Sequence, residues 1–129
     1  MSDNIGGGIR ALIVADGVVS GRAWADDAPD KPTFPYVTID SGISVGPDLE
    51  GDGGDVEYLV REEQVNLWQK ADDEDDDVVR RLRAAVNGKR IPGAATRLRV
   101  RDTVRLYERD TRIVHHALTL AVRHDPTGL

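Results

Sequence analysis

The spacing of apolar positions changes along the chain, and each change marks an element. Ile9, Leu12 and Ile13 share one face at helical spacing and predict a helix over about Ile5–Val14, with Gly6, Gly7 and Gly8 weakening its first turn. Trp24 follows in a short segment that runs into the proline- and charge-rich stretch 26–33. From Phe34 to Val45 the period becomes two: Val37, Ile39, Ile43 and Val45 alternate with Tyr36 and Thr38, which predicts a strand with Pro35 at its start, where a missing N–H costs least. Glu57–Gln69 alternates again, with Val65 and Leu67 on one side and Gln64, Asn66 and Trp68 on the other.

Helical spacing returns over Ala71–Val86, whose apolar face is Val78, Val79, Leu82, Ala85 and Val86. Asp72 or Asp73 can cap this helix, the acids up to Asp77 suit its positive end, Arg80, Arg81 and Arg83 lie toward its negative end, and Asn87-Gly88 stops it. Two more strands finish the chain. In the first, Leu98, Val100, Val104 and Leu106 alternate with a side that carries Arg97, Arg99, Arg101 and Arg105; in the second, after a turn at 108–112, Val114, His116, Leu118, Leu120 and Val122 share a side.

The order helix, strand, strand, helix, strand, strand predicts an α+β fold: a four-stranded, mainly antiparallel sheet with two helices packed on one face and a long acidic hairpin loop. The 129 residues fit a single domain, 1–129, with flexible loops expected at about 26–33 and 47–56. No stretch approaches the roughly 20 apolar residues that span a bilayer, so a soluble chain with no membrane partner is expected.

Charge sharpens this picture. With 17 basic and 23 acidic residues the net charge is -6, which lacks the electrostatic footprint of a nucleic-acid binder. The excess is unevenly placed: Asp72–Asp77 is an unbroken acidic run, while Arg97–Arg112 is rich in arginine, so complementary patches could drive self-association. The absence of cysteine excludes disulfides, thiolate zinc sites and cysteine nucleophiles.

One stretch suggests chemistry. From Asp48 the sequence spells D-x-E-x-D-G, so Asp48, Glu50 and Asp52 fall at the first, third and fifth places of a calcium loop. The twelfth place, which needs a bidentate glutamate, is Leu59, and both flanks read as strand rather than helix. A small calcium-responsive binding module using Asp48, Glu50, Asp52 and Asp55 is therefore the alternative rather than the first reading. Consecutive residues of a helix point in different directions, so Asp72–Asp77 reads as a solvated helix start and not as a ligand set. His115 and His116 are strand neighbours and face opposite sides, His116 inward in register with Leu118 and Leu120. Ser20, Ser41 and Ser44 lie outside any G-x-S-x-G elbow, and GGGIRA at 6–11 lacks the preceding strand of a dinucleotide site. A metal-dependent hydrolase with dispersed acidic ligands ranks last, and no enzyme activity and no cofactor are expected.

The chain resembles the tail terminator family of long-tailed siphophages, which includes tail-completion and head-to-tail joining proteins. The likeness rests on the helix leading to a proline-rich loop, Phe34-Pro-Tyr-Val37, the passage Val65-Asn-Leu-Trp-Gln-Lys-Ala-Asp72, the helix end Arg83-Ala-Ala-Val-Asn-Gly88 and the closing strand His115–His124. It implies a non-enzymatic virion protein, made in the host cytoplasm, that assembles with itself into a ring, expected to hold six copies. The ring would cap the tail tube protein and join it to the head connector (head-completion) protein, with DNA passing through unbound. On that reading Asp48, Glu50, Asp52, Asp55, Arg99, Arg101 and Arg105 are the candidates for the subunit interface or the lumen.

Overall fold

The structure is a computed structural model that describes residues 5–25, 28–48, 58–94 and 96–124. Helix α1 (Ile5–Asp16) is followed by a short strand β1 (Ala23–Ala25), then β2 (Tyr36–Asp48) and β3 (Tyr58–Lys70). A single 3-10 turn (Ala71–Asp73) leads to helix α2 (Asp76–Val86), and β4 (Arg99–Glu108) and β5 (Ile113–His124) close the chain. The strands form one sheet in the order β1-β2-β3-β5-β4.

The architecture is thus α+β with a mixed, five-stranded sheet, not a four-stranded one. The additional strand is β1, which runs parallel to β2 with Ala23 opposite Val37 and Ala25 opposite Ile39. Three residues are too few for a period, and what fixes them is tertiary: Arg10 of α1 donates through Nε to the Ala23 carbonyl at 2.7 Å. Arg22 in turn donates through Nε to the Pro35 carbonyl at 2.9 Å. The other pairings are antiparallel, β2 with β3, β3 with β5 and β4 with β5.

Both helices cover one face of this sheet. Ile5, Ile9 and Ile13 of α1 and Leu82 and Val86 of α2 share a single core with Val37, Ile39, Val65, Leu67, Leu118 and Leu120, all fully buried. The glycine-rich start of α1 has a use the periodicity does not reveal: a Cβ on Gly8 would lie 3.1 Å from Ile91 Cβ, so glycine lets α1 approach the 87–98 loop closely. Gly8→Val is expected to lower stability by ~1–3 kcal/mol through overpacking. A denaturant midpoint unchanged in this variant would show that the loop yields instead.

Two local departures from the sequence-based expectation bear on function. Helix α2 begins at Asp76 rather than Ala71, because Asp75 takes the N-cap and accepts from the Asp77 N–H at 2.9 Å. The acids before it are drawn away: Ala71 N–H bonds the Arg112 carbonyl, and Asp72 pairs with Arg112 at 2.7 Å. In β4 the register shifts between Val100 and Asp102, so Arg101 is the extra residue of a β-bulge. A bulge inverts the alternation beyond it. Val100, opposite Leu120, faces the core, whereas Val104, opposite Ala117, and Leu106, opposite His115, face the other side and are exposed.

The 28–33 part of the first expected loop is irregular, and β2 and β3 form the expected hairpin, with Asp48 opposite Tyr58. The hairpin tip with Glu50, Asp52 and Asp55, and Asp26 and Asp27 of the first loop, lie outside the described residues.

Candidate functional site

Among the described residues one face of the sheet carries no helix, and it holds a connected set of aromatic side chains. Period two puts Tyr36 and Thr38 of β2, Asn66 and Trp68 of β3 and His115 and Ala117 of β5 on this side, and the bulge adds Val104 and Leu106. The aromatic rings run across the strands as a connected series. Trp24 meets Tyr36 edge-on at 6.0 Å, Tyr36 stacks on Trp68 at 6.1 Å, and Trp68 stacks on His115 at 4.1 Å. Phe34 packs on Tyr36 at 5.2 Å and is covered by the Lys70 ammonium at 5.7 Å.

Hydrogen bonds lock these rings from beneath. Trp68 donates through Nε1 to Thr38 Oγ1 at 3.0 Å. Asn66, 2% exposed, is the hub: its Oδ1 accepts from Gln64 Nε2 at 2.7 Å and its Nδ2 donates to Asp40 Oδ2 at 3.1 Å. The same Oδ1 lies 2.6 Å from His115 Nε2, so the imidazole donates there and holds its proton on Nε2. These contacts order a surface of half-buried aromatic and small residues. Such a surface suits contact with another macromolecule.

Burial under Trp68 pushes the His115 imidazole below its ordinary range, against a smaller upward pull from Glu108 and Asp40. The unfolded chain therefore binds this proton at higher pH than the folded one. The stability tied to neutral His115 is complete above the ordinary imidazole value, about 6.5, and is lost as pH falls through the lower folded value. An NMR titration should show the His115 ring still neutral where a free imidazole is half protonated. His115→Gln should flatten the drop in melting temperature over the same interval, and an ordinary titration of His115 would refute the assignment.

The predicted arginine stripe does not form. Arg99, opposite Ala121, lies exposed on the helix-free side; Arg101 sits in the bulge with its guanidinium 3.8 Å from Glu62; and Arg97 bonds the Gly88 carbonyl at 3.1 Å. Arg105 lies on the helix side, where it grips Glu74 with two bonds of 2.8 Å. His116 completes that cluster: it is buried in register with Leu118, as expected, and its Nε2 is 3.0 Å from Glu74 Oε2. The Arg105 hydrogen bond, aided by His116, holds the Glu74 carboxyl below the usual range.

Glu74, Asp75, Asp76, Asp77, Arg80 and Arg105 line a shallow, open depression at the start of α2. The chain is thus acidic at one end of α2, while Arg83, Lys89 and Arg90 stand exposed at the other. Among the described residues no group of three or more histidines and carboxylates could hold a metal, and no helix is long and apolar enough to cross a membrane. The acidic set Asp48, Glu50, Asp52 and Asp55 falls mostly in the hairpin tip outside those residues.

Comparison with known proteins places this arrangement. No curated protein matches the sequence. The fold is similar to a chain from the virion of a native gene transfer agent particle, with a TM-score of 0.62 at 14% identity, covering 95% of this chain and 98% of that one. The family model described as tail completion protein gp17 matches residues 8–125, from the first turn of α1 to just past the end of β5. The chain therefore belongs to the tail completion protein gp17 family and is a phage structural protein of the virion tail.

Proposed function

We propose that this chain is a non-enzymatic tail terminator: a protein that forms a ring on the last layer of the tail tube, stops tube growth and presents a surface to the head connector. The observation that carries this reading is the family match over 8–125, which takes in all five described strands, α2 and most of α1. The geometry supports it in physical terms. What the structure offers is an ordered, uncovered sheet face and separated charges, features of a protein that works by contact.

A ring needs heterologous contacts, in which two different patches of one copy meet their complements on its neighbours. A lumen through which DNA passes gains from carboxylates that repel phosphate, a role that suits Asp48, Glu50, Asp52 and Asp55 on composition. The partners on this reading are further copies of the chain, the tail tube protein and the head connector.

Co-sedimentation of the purified chain with tail tubes assembled without a cap tests the proposal. The chain should pellet with the tubes at a fixed low ratio set by tube ends, and tubes mixed with it should stop lengthening. No binding at all, or binding along the whole tube wall, would overturn the terminator reading.

A further inference from the structure

We infer that the helix-free face of the sheet is the surface by which one copy grips the next, and that its occupant is the basic end of the helix layer of a second copy of this chain. The inference rests on the ring reading above and assigns the two patches that reading requires.

The apolar part of the argument starts from exposure. Val104 and Leu106 are 42% and 48% exposed, and both sit on this face because of the bulge at Arg101. Cross-strand pairing sets Leu106 beside His115, which lies under the Trp68 ring, so the exposed leucine extends the aromatic series to the far edge of the sheet. An apolar centre of aromatic and aliphatic groups with charges only around it is the anatomy of a protein interface core. On the opposite side of the molecule, the helix layer exposes Val14 of α1 at 37%.

Charge then selects the occupant. Register places Asp40, Glu62, Asp102 and Glu108 around the helix-free face, against Lys70, Arg99 and Arg101, the last 3.8 Å from Glu62, so among the described side chains the rim is acidic by one charge. Pressing two such faces together would set one acidic rim against another. The helix layer carries the opposite sign at the end of α2, where Arg83, Lys89 and Arg90 are exposed and make no ion pair among the described residues. A contact between the acidic-rimmed face of one copy and this basic end of the next joins two different patches on opposite sides of the subunit. It therefore leaves each copy with one patch still open, and the same contact repeats until the chain of copies closes.

Two full-length variants test this. Leu106→Glu disables the sheet face, and the double change Arg83→Glu with Arg90→Glu disables the helix end; all three positions are exposed, so melting temperatures should stay near wild type. Oligomers are counted by sedimentation velocity in solution and by electron microscopy at the ends of uncapped tail tubes. Wild type should make rings, and each variant alone should make none. An equimolar mixture of the two should stop at a heterodimer, because it holds only one pair of sound patches. Rings from Leu106→Glu would overturn the assignment while leaving the ring reading intact, and rings that no longer bind tubes would give the face to the tube protein instead. Absence of wild-type rings both in solution and on tubes would remove the reading on which the assignment rests.

Discussion

Leu118→Ala is expected to lower the stability of the domain by about 3 kcal/mol and its melting temperature by about 10 °C. Leu118 is fully buried in β5, a strand flanked by β3 and β4, and belongs to the core that α1 and α2 close from above. Its partners across the strands are Val65 on one side and Thr103 on the other, both held by the sheet ladder, so the surroundings cannot collapse into the space left behind. Most of the cost is therefore the cavity itself, added to the lost transfer of the side chain from water. Denaturant unfolding measures it directly. A loss under about 1 kcal/mol would mean that the helices settle onto the sheet, and that the layers are less rigidly packed than their burial implies.

Trp68→Ala should have the next largest effect, about 2–3 kcal/mol, less than for a fully buried tryptophan because the residue is only half-buried. The substitution removes the ring lying between Tyr36 and His115 and leaves Thr38 Oγ1 without its donor. Trp68→Phe separates these parts: the stacked ring survives, the N–H does not, and about 1 kcal/mol should be lost. A second readout makes the test specific. With Trp68 gone, His115 regains water and its titration should move up toward that of an ordinary imidazole. Loss of stability without that movement would show that the ring supports the sheet in some way other than shielding His115.

The sequence pattern makes the long elements legible for a simple reason: each buries one face against the same core, so its period is set by geometry that does not depend on its neighbours. Val65 and Leu67 against Asn66 and Trp68 in β3, and Val114 to Val122 in β5, follow this rule throughout their described parts. Strand β1 obeys no period because it has only Ala-Trp-Ala to show, and its place depends on Arg10 and Pro35, both 13 residues from their partners. The start of α2 was hidden by excess: six adjacent acids offer several caps, and only the pairing of Asp72 with Arg112 and of Glu74 with Arg105 leaves the role to Asp75.

Strand β4 is the instructive failure. Leu98, Val100, Val104 and Leu106 fit one face at period two, but the position between them in that series is Asp102, a carboxylate where the core would need an apolar group. That mismatch was the available sign of a bulge. An unbroken period of two sets Val104 and Leu106 on the side of Val100 and unites the arginines, whereas the shifted register exposes the two aliphatic residues and turns Arg105 toward Glu74. The surface assigned to the neighbouring copy is visible only after this correction, since aromatic residues scattered from 24 to 115 become one series only when the strands are ordered.

The same bulge bears on how the protein stays dispersed at high concentration. β4 is the outermost strand, and a straight outermost strand is a template on which another chain can add by backbone pairing. An extra residue at Arg101 breaks the even spacing of its free N–H and C=O groups and twists it, while Arg99, Arg101 and Arg105 put charge along it. Lateral growth into fibrils is thereby obstructed along this border of the sheet.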